Sequence, residues 1–474
     1  MFVLRREKRK RRKYMNRGPA IKSLAAMISM MITVWFSALP PVYANETDEL
    51  SEIRAEMQRL REAYESEIAR LEGRIDEMET RQAEQAVVAE QAPPPPPAPP
   101  ASRSSSAANA FNPGISVVFN GRFAAFQLNP ETYMTPGFPL FGEAGPGPDG
   151  FSLGETELNL SANVNDLFYA STTIAFDASD EGTEVELEEA YIQTLKLPSG
   201  LTLKAGRFFA ALGYLNENHS HTDNFSIRPL PYQVYFGGGN YNDDGVQLAV
   251  VLPTTTYIQL GGGIFRGGAY PAGGAAHDGV GAYSAFARFG GDIGFSTSWR
   301  FGLSYLHADA IDQILGPEDG TFPETLSYTG NNRLFIADFK FQWSPQGNIN
   351  EKYLILQGEF FRRGQTGAYN GILYRGHDSG FYIEGVYKFT RGWRFGYRYS
   401  QLNPERNIPA TLLETGLNSM GLTPRTHSLM VDWARNEFSL VRIQLSRDLS
   451  QRFADNRIFI QFIMAIGAHS AHNF

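Results

Sequence analysis

Cysteine is absent from the 474-residue chain, so a disulfide framework, a thiolate metal site and a cysteine nucleophile are all excluded. Also missing are a glycine-rich loop between strand and helix, a nucleophile elbow and a pair of metalloprotease histidines on a helix. Glycine triplets such as Gly237-Gly238-Gly239 and Gly261-Gly262-Gly263 fall at strand ends or in loops, where they make no phosphate cradle. The sequence therefore does not read as an enzyme, and it requires no cofactor. A mean hydropathy of −0.28 rules out a bundle of membrane-spanning helices. Positive charge is scarce over most of the chain. From Phe111 onward there are 25 Lys plus Arg against 35 Asp plus Glu, a net of −10, which argues against a nucleic-acid partner and against a strongly anion-selective pore.

The first hundred residues carry three segments. Residues 1–44 read as a secretory signal: a basic run from Arg5 to Lys13, an apolar stretch from Leu24 to Leu39, and Val42-Tyr43-Ala44 before the expected cut. In residues 45–91 the positions Leu50, Ile53, Met57, Leu60, Tyr64, Ile68, Leu71, Ile75 and Met78 step by three and four, the seam of a coiled coil. The two consecutive fours at Leu60, Tyr64 and Ile68 form a stutter that unwinds it locally. A lone helix exposing that stripe is poorly stable, so a homo-oligomer, a trimer, is expected. Residues 92–110 are a polyproline spacer followed by a serine-rich tether.

Residues 111–474 read as an all-β domain, a transmembrane antiparallel β-barrel of about 16 strands. Sixteen segments are near the length of a tilted membrane strand: 115–127, 151–165, 168–178, 184–197, 200–207, 243–252, 256–266, 281–290, 295–307, 333–343, 351–363, 380–389, 393–402, 425–434, 437–448 and 456–466. Several alternate cleanly. Trp393, Phe395, Tyr397 and Tyr399 oppose Arg394, Gly396, Arg398 and Ser400, which predicts a lipid face and a lumen face. Short turns such as Asn165-Asp166, Thr390-Arg391-Gly392 and Arg435-Asn436 alternate with longer loops, as periplasmic turns and outer loops do in such barrels. That parity puts the coiled coil in the periplasm and the barrel in the outer-membrane lipid of a bacterial cell. The terminal Phe474 matches what such barrels present to the barrel assembly machinery, although Ser470 and His472 stand where apolar residues are usual.

On the inward faces, Glu155, Glu157, Glu186 and Glu188 fall on the second and fourth segments. Arg122, Arg394, Arg398, Arg442 and Arg457 fall on the first, thirteenth, fifteenth and sixteenth. These charges either face one another as walls of opposite sign and impose a field across a pore, or pair with their neighbours. The longest connection, 208–242, holds Asn216-Glu217-Asn218-His219-Ser220-His221-Thr222-Asp223. Two imidazoles two residues apart, with Asp223 and Glu217 nearby, can ligate Zn²⁺ if the chain turns there; the alternative is an ordinary polar loop.

Gly206-Arg207-Phe208-Phe209, Gly213-Tyr214-Leu215 with the residues through His221, Pro229-Leu230-Pro231-Tyr232 and Asn242-Asp243-Asp244-Gly245 together resemble a group of outer-membrane proteins. That group is related to the phosphate-selective porin family and is often labelled zinc-regulated or TonB-dependent receptor. The resemblance covers most of 115–474 and implies a sixteen-strand porin-like barrel whose third outer loop folds into the lumen, with metal at His219 and His221. A TonB-dependent receptor also needs a globular plug and 22 strands, for which this sequence has no room. Lysines such as Lys204, Lys340 and Lys388 are too few to carry over phosphate specificity. The expected function is a channel for small polar solutes or ions. The alternatives are a zinc-binding receptor or uptake protein, and a structural tether from outer membrane to cell wall.

Overall fold

Period-two alternation governs the backbone. Along Trp393–Asn403 the aromatic residues Trp393, Phe395 and Tyr397 are exposed, while Arg394, Arg398 and Ser400 are buried. A strand with one face in lipid and the other in a packed interior produces this pattern. The structure is a computed structural model that describes Arg70 and residues 113–474, apart from 142–143, 180–181, 275–278, 317–324, 346 and 468–474. The expected signal peptide, the coiled coil apart from Arg70, the linker and the terminal Phe474 lie outside the described residues.

The strands in chain order are β1 (Gly114–Phe126), β2 (Gly150–Leu153), β3 (Thr156–Asn163), β4 (Phe168–Ser179), β5 (Gly182–Thr194), β6 (Leu201–Phe209), β7 (Asn242–Val251), β8 (Tyr257–Phe265) and β9 (Gly273–Gly274). They continue with β10 (Ala282–Ile293), β11 (Thr297–Leu315), β12 (Leu326–Trp343), β13 (Tyr353–Tyr369), β14 (Ile372–Thr390), β15 (Trp393–Asn403), β16 (Arg425–Asn436), β17 (Ser439–Asp448) and β18 (Asp455–Gly467). Each wall strand pairs antiparallel with the next, and β1 pairs with β18 from Ser116↔Gly467 to Phe126↔Arg457, which closes the sheet. β2 and β3 are two parts of one wall strand, both paired with β1. β9 is a short parallel addition to the end of β11 and lies outside the wall sequence, since β8 pairs directly with β10. The wall therefore has sixteen strands, and a closed wall leaves no unpaired edge for lipid to meet.

Every one of the sixteen segments read from the sequence meets one wall strand, but four were drawn too short. β11 to β14 run for 17 to 19 residues. The connection expected between β13 and β14 is instead a two-residue hairpin, with Asn370 and Gly371 both at positive φ (48° and 78°). In the added length of β14 burial still alternates, but Arg375 and His377 occupy outward positions, so the sequence lacks the apolar–polar alternation that marks a membrane strand.

Two register shifts shape the interior. On β1, Val118 pairs with Glu157 but Gly121 pairs with Leu153, so the paired strand carries one extra residue around Gly154-Glu155. On β5, Glu189 pairs with Thr173 and Leu187 with Ile174, leaving Glu188 as the extra residue. A bulge of this kind re-aims side chains that strict alternation would send to opposite faces. Both Glu188 and Glu189 are accordingly buried, while Val185 and Leu187 remain exposed.

Gly206 sits opposite Tyr191 beside the second bulge, at φ 127°. A Cβ there would run into the Ala190 carbonyl oxygen. Gly206→Ala is expected to destabilise the detergent-folded barrel by about 1–3 kcal/mol in urea unfolding.

Exposed Trp343, Trp393, Trp433, Tyr387 and Phe389 form an outward aromatic band, with Trp393 and Trp433 rings 6.2 Å apart. Amphipathic rings favour the lipid–water boundary.

Candidate functional site: an in-folded loop and its anchors

The connection between β6 and β7 does not extend away from the barrel. Its apolar residues Leu212, Leu215, Leu230, Tyr232, Val234, Tyr235 and Phe236 pack against the inward residues Leu306, Leu334, Ile336, Phe361, Tyr382 and Leu402 of β11 to β15. The lumen thus holds a hydrophobic core built between loop and wall. Pro229 precedes a short helix, α1 (Leu230–Tyr235), which packs on β14 and β15. Asn216 gathers the two ends of the loop: its side chain donates to the carbonyls of Ala210 (2.8 Å) and Tyr241 (3.2 Å) and accepts from the Tyr241 N–H (2.7 Å).

One anchor is Glu359 on β13. Its carboxylate accepts from the N–H groups of Tyr214 and Leu215 and from the hydroxyls of Tyr232 and Tyr382, at 2.8–3.2 Å. An amide in its place accepts less strongly and directs two N–H groups toward donors. Glu359→Gln is therefore expected to weaken loop docking by about 1–3 kcal/mol, read as faster amide exchange over 213–235 with the barrel amides unchanged.

A second anchor lies inside the loop. Arg228 is buried and donates to Asp223 (2.9 Å), to the carbonyls of Gly239, Leu215 and Asn218, and to the Asn240 side chain. Asp223, expected from the sequence to be a metal ligand, is thereby committed to a guanidinium. Glu217, the other carboxylate of that expectation, is held by Arg288 and lies 3.7 Å from Arg300. Both are engaged by buried or partly buried cations, and no hydrogen bond joins either to a histidine ring among the described residues.

His219 and His221 do meet carboxylates, but those of the wall. A single 3-10 turn (Ser220–Thr222) stacks their rings with centroids 5.7 Å apart. His219 Nδ1 lies 3.1 Å from both Glu157 and Glu188, and its Nε2 lies 3.3 Å from Glu189. His221 Nδ1 lies 2.7 Å from Glu157, and Ser220 donates to Glu155. Burial opposes a charged imidazole at His219, yet the Glu157 charge and the hydrogen bonds to Glu157, Glu188 and Glu189 hold it well above the ordinary histidine range. Lys204 stands 3.6 Å from Glu189. Glu186 stays on the exposed part of β5, outside this cluster.

The arginines of the last strands are neutralised where they stand. Arg394 and Arg442 share Asp432, at 2.7 and 3.3 Å. Arg398 lies 3.8 Å from Glu384 and donates to the Ile227 carbonyl, while Arg457 pairs with Asp448 and Asp455 at 2.9 and 2.7 Å. Arg122 stands on β1, in register with Gln461 and Ser152. Of the two readings of these charges, pairing with neighbours describes Arg394, Arg398, Arg442 and Arg457. β1 alone separates Arg457 on β18 from Glu157 on β3, so these arginines and the carboxylates occupy adjoining arcs.

Sequence reasoning missed Glu189, Glu359, Asp432 and Arg228 as members of the site. The adjacent Glu188-Glu189 pair on a period-two strand was a usable signal for a bulge. Glu359 and Asp432 needed the partner loop or strand to be placed.

No protein-family model matches the chain. An uncharacterised protein of Aquifex aeolicus (strain VF5) is 28% identical over 354 residues, covering 69% of this chain and 70% of that one. Among solved structures, a loop L8 deletion mutant of the outer membrane protein OmpT of Vibrio cholerae is 10% identical, with 75% of this chain and 100% of that one covered and a TM-score of 0.48. OprB of Pseudomonas putida is 12% identical, with 77% and 96% covered and a TM-score of 0.47. An anion-selective porin from Comamonas acidovorans is 8% identical, with 75% and 99% covered and a TM-score of 0.47.

Proposed function

We propose that the protein is a porin-like outer-membrane channel through which small polar solutes or ions diffuse. The observation that carries this reading is a closed sixteen-strand wall, apolar outside, with a loop packed into a lumen that also carries charged and hydroxyl side chains on its inward faces. A barrel used only as an anchor has no need of an in-folded loop fixed at several strands. A narrowed polar passage limits solutes by size and charge. Arg394, Arg398, Arg442 and Arg457 are compensated by carboxylates, whereas Glu157, Glu188 and Glu189 outnumber His219 and Lys204 beside them, so a mild cation preference goes with the reading. Self-association through the 45–91 stripe belongs to the same proposal and rests on the sequence pattern.

Liposomes carrying the folded protein test the passage directly. Swelling in neutral sugars of increasing size should be fast for the smallest and fall off steeply with size. Swelling no faster than protein-free liposomes for every sugar rejects the channel.

A further inference from the structure

We infer that Glu157, Glu188 and His219 form a binding site for a divalent cation of the Zn²⁺ class, which staples the in-folded loop to the β3–β5 wall. Three observations converge on it.

The first is geometric. One ligand atom from each of the three residues lies within 4.8 Å of the others. The two edges from His219 Nδ1 to the carboxylate oxygens are both 3.1 Å. A tetrahedral Zn²⁺ with bonds of about 2.0–2.1 Å sets its ligands roughly 3.3 Å apart, so both edges from His219 are close to the required spacing. A single ring N–H, by contrast, cannot point along two lines at once.

The second is charge. Glu157, Glu188 and Glu189 gather around two imidazoles and the ammonium of Lys204. A divalent ion offsets that excess of buried carboxylate.

The third is construction. His221 Nδ1 at 2.7 Å from the other oxygen of Glu157 orients that carboxylate, as an outer group does at a metal centre. The bulge on β5 brings Glu188 to the same face as Glu189. The donor set, one imidazole nitrogen with carboxylate oxygens, suits Zn²⁺ or Co²⁺ better than Ca²⁺ or Mg²⁺. This ligand set replaces the sequence expectation for Glu217 and Asp223 and gives His221 an orienting role. The site ties a loop to a wall, so it stands whether or not solutes pass.

Titration calorimetry on the full-length, detergent-folded protein tests it with Zn²⁺ as the probe and Ca²⁺ as the comparison. The site requires one Zn²⁺ per chain, no comparable Ca²⁺ binding, and affinity reduced by roughly tenfold or more in both His219→Gln and Glu188→Gln. His427→Gln, on the outward face of β16, should bind as the unaltered protein does. Zn²⁺ should also slow amide exchange over 217–224 in the unaltered protein and leave it unchanged in Glu188→Gln. Each variant is first checked for the β-rich spectrum of the folded barrel; should His219→Gln fail to fold, Glu188→Gln carries the comparison alone. Failure of the unaltered protein to bind Zn²⁺, or undiminished binding in Glu188→Gln, overturns the site.

Discussion

Excising residues 212–238 and bridging the gap with a short Gly-Ser linker should raise single-channel conductance several-fold. The loop reaches across the lumen from Glu157 and Glu188 on one arc to Glu359, Asp378 and Glu384 on another. If the protein is the proposed channel, removing the loop widens its passage, while the wall hydrogen bonds between neighbouring strands stay intact. The β-rich spectrum of the folded barrel should be preserved, because no wall strand is shortened. Unchanged conductance in a properly inserted deletion variant means that the loop does not set the passage.

Arg228→Ala should be the most damaging single substitution in the loop. Both members of the Arg228–Asp223 pair are almost fully buried, with side-chain exposures of 2% and 3%. Truncating the arginine strands a carboxylate and leaves the Leu215, Asn218 and Gly239 carbonyls without that donor. Loss of one partner from a buried pair costs about 3–5 kcal/mol. That loss should fall on loop docking rather than on the wall, since all five hydrogen bonds of Arg228 are to residues within 215–240. Proteolysis within 212–238 should accelerate sharply, and conductance should become noisy and larger on average. A variant as resistant to proteolysis as the unaltered protein contradicts this view of the loop.

The wall was legible because lipid imposes a repeating constraint on every strand. Trp393, Phe395 and Tyr397 cannot be exchanged with Arg394 and Arg398 without moving guanidinium groups into hydrocarbon, so the pattern survives in the sequence alone. The outer halves of β11 to β14 escape that constraint and were read as loops; only the Asn370-Gly371 turn marks where the chain reverses. The in-folding of the 208–242 connection was expected from resemblance. Its anchors were not, because hydrogen bonds such as Tyr232 to Glu359 join residues 127 positions apart. The imidazole pair was visible as a motif, but its carboxylates were assigned to sequence neighbours. Asp223 and Glu217 are near His219 in the chain yet are claimed by Arg228 and Arg288, while Glu157 and Glu188, already read as inward, meet it only once β3, β5 and the loop are placed, and the bulge on β5 adds Glu189 to them. A bulge shifts a face by one residue, a change that period-two reasoning does not register.

As the proposed channel, the wall carries current through a polar passage that the loop narrows. Single-channel recording of the intact protein in planar bilayers, with a salt gradient to read the reversal potential, tests it most directly. Discrete, ohmic steps with a mild preference for cations are expected. Protein that is verifiably inserted and folded yet electrically silent contradicts it.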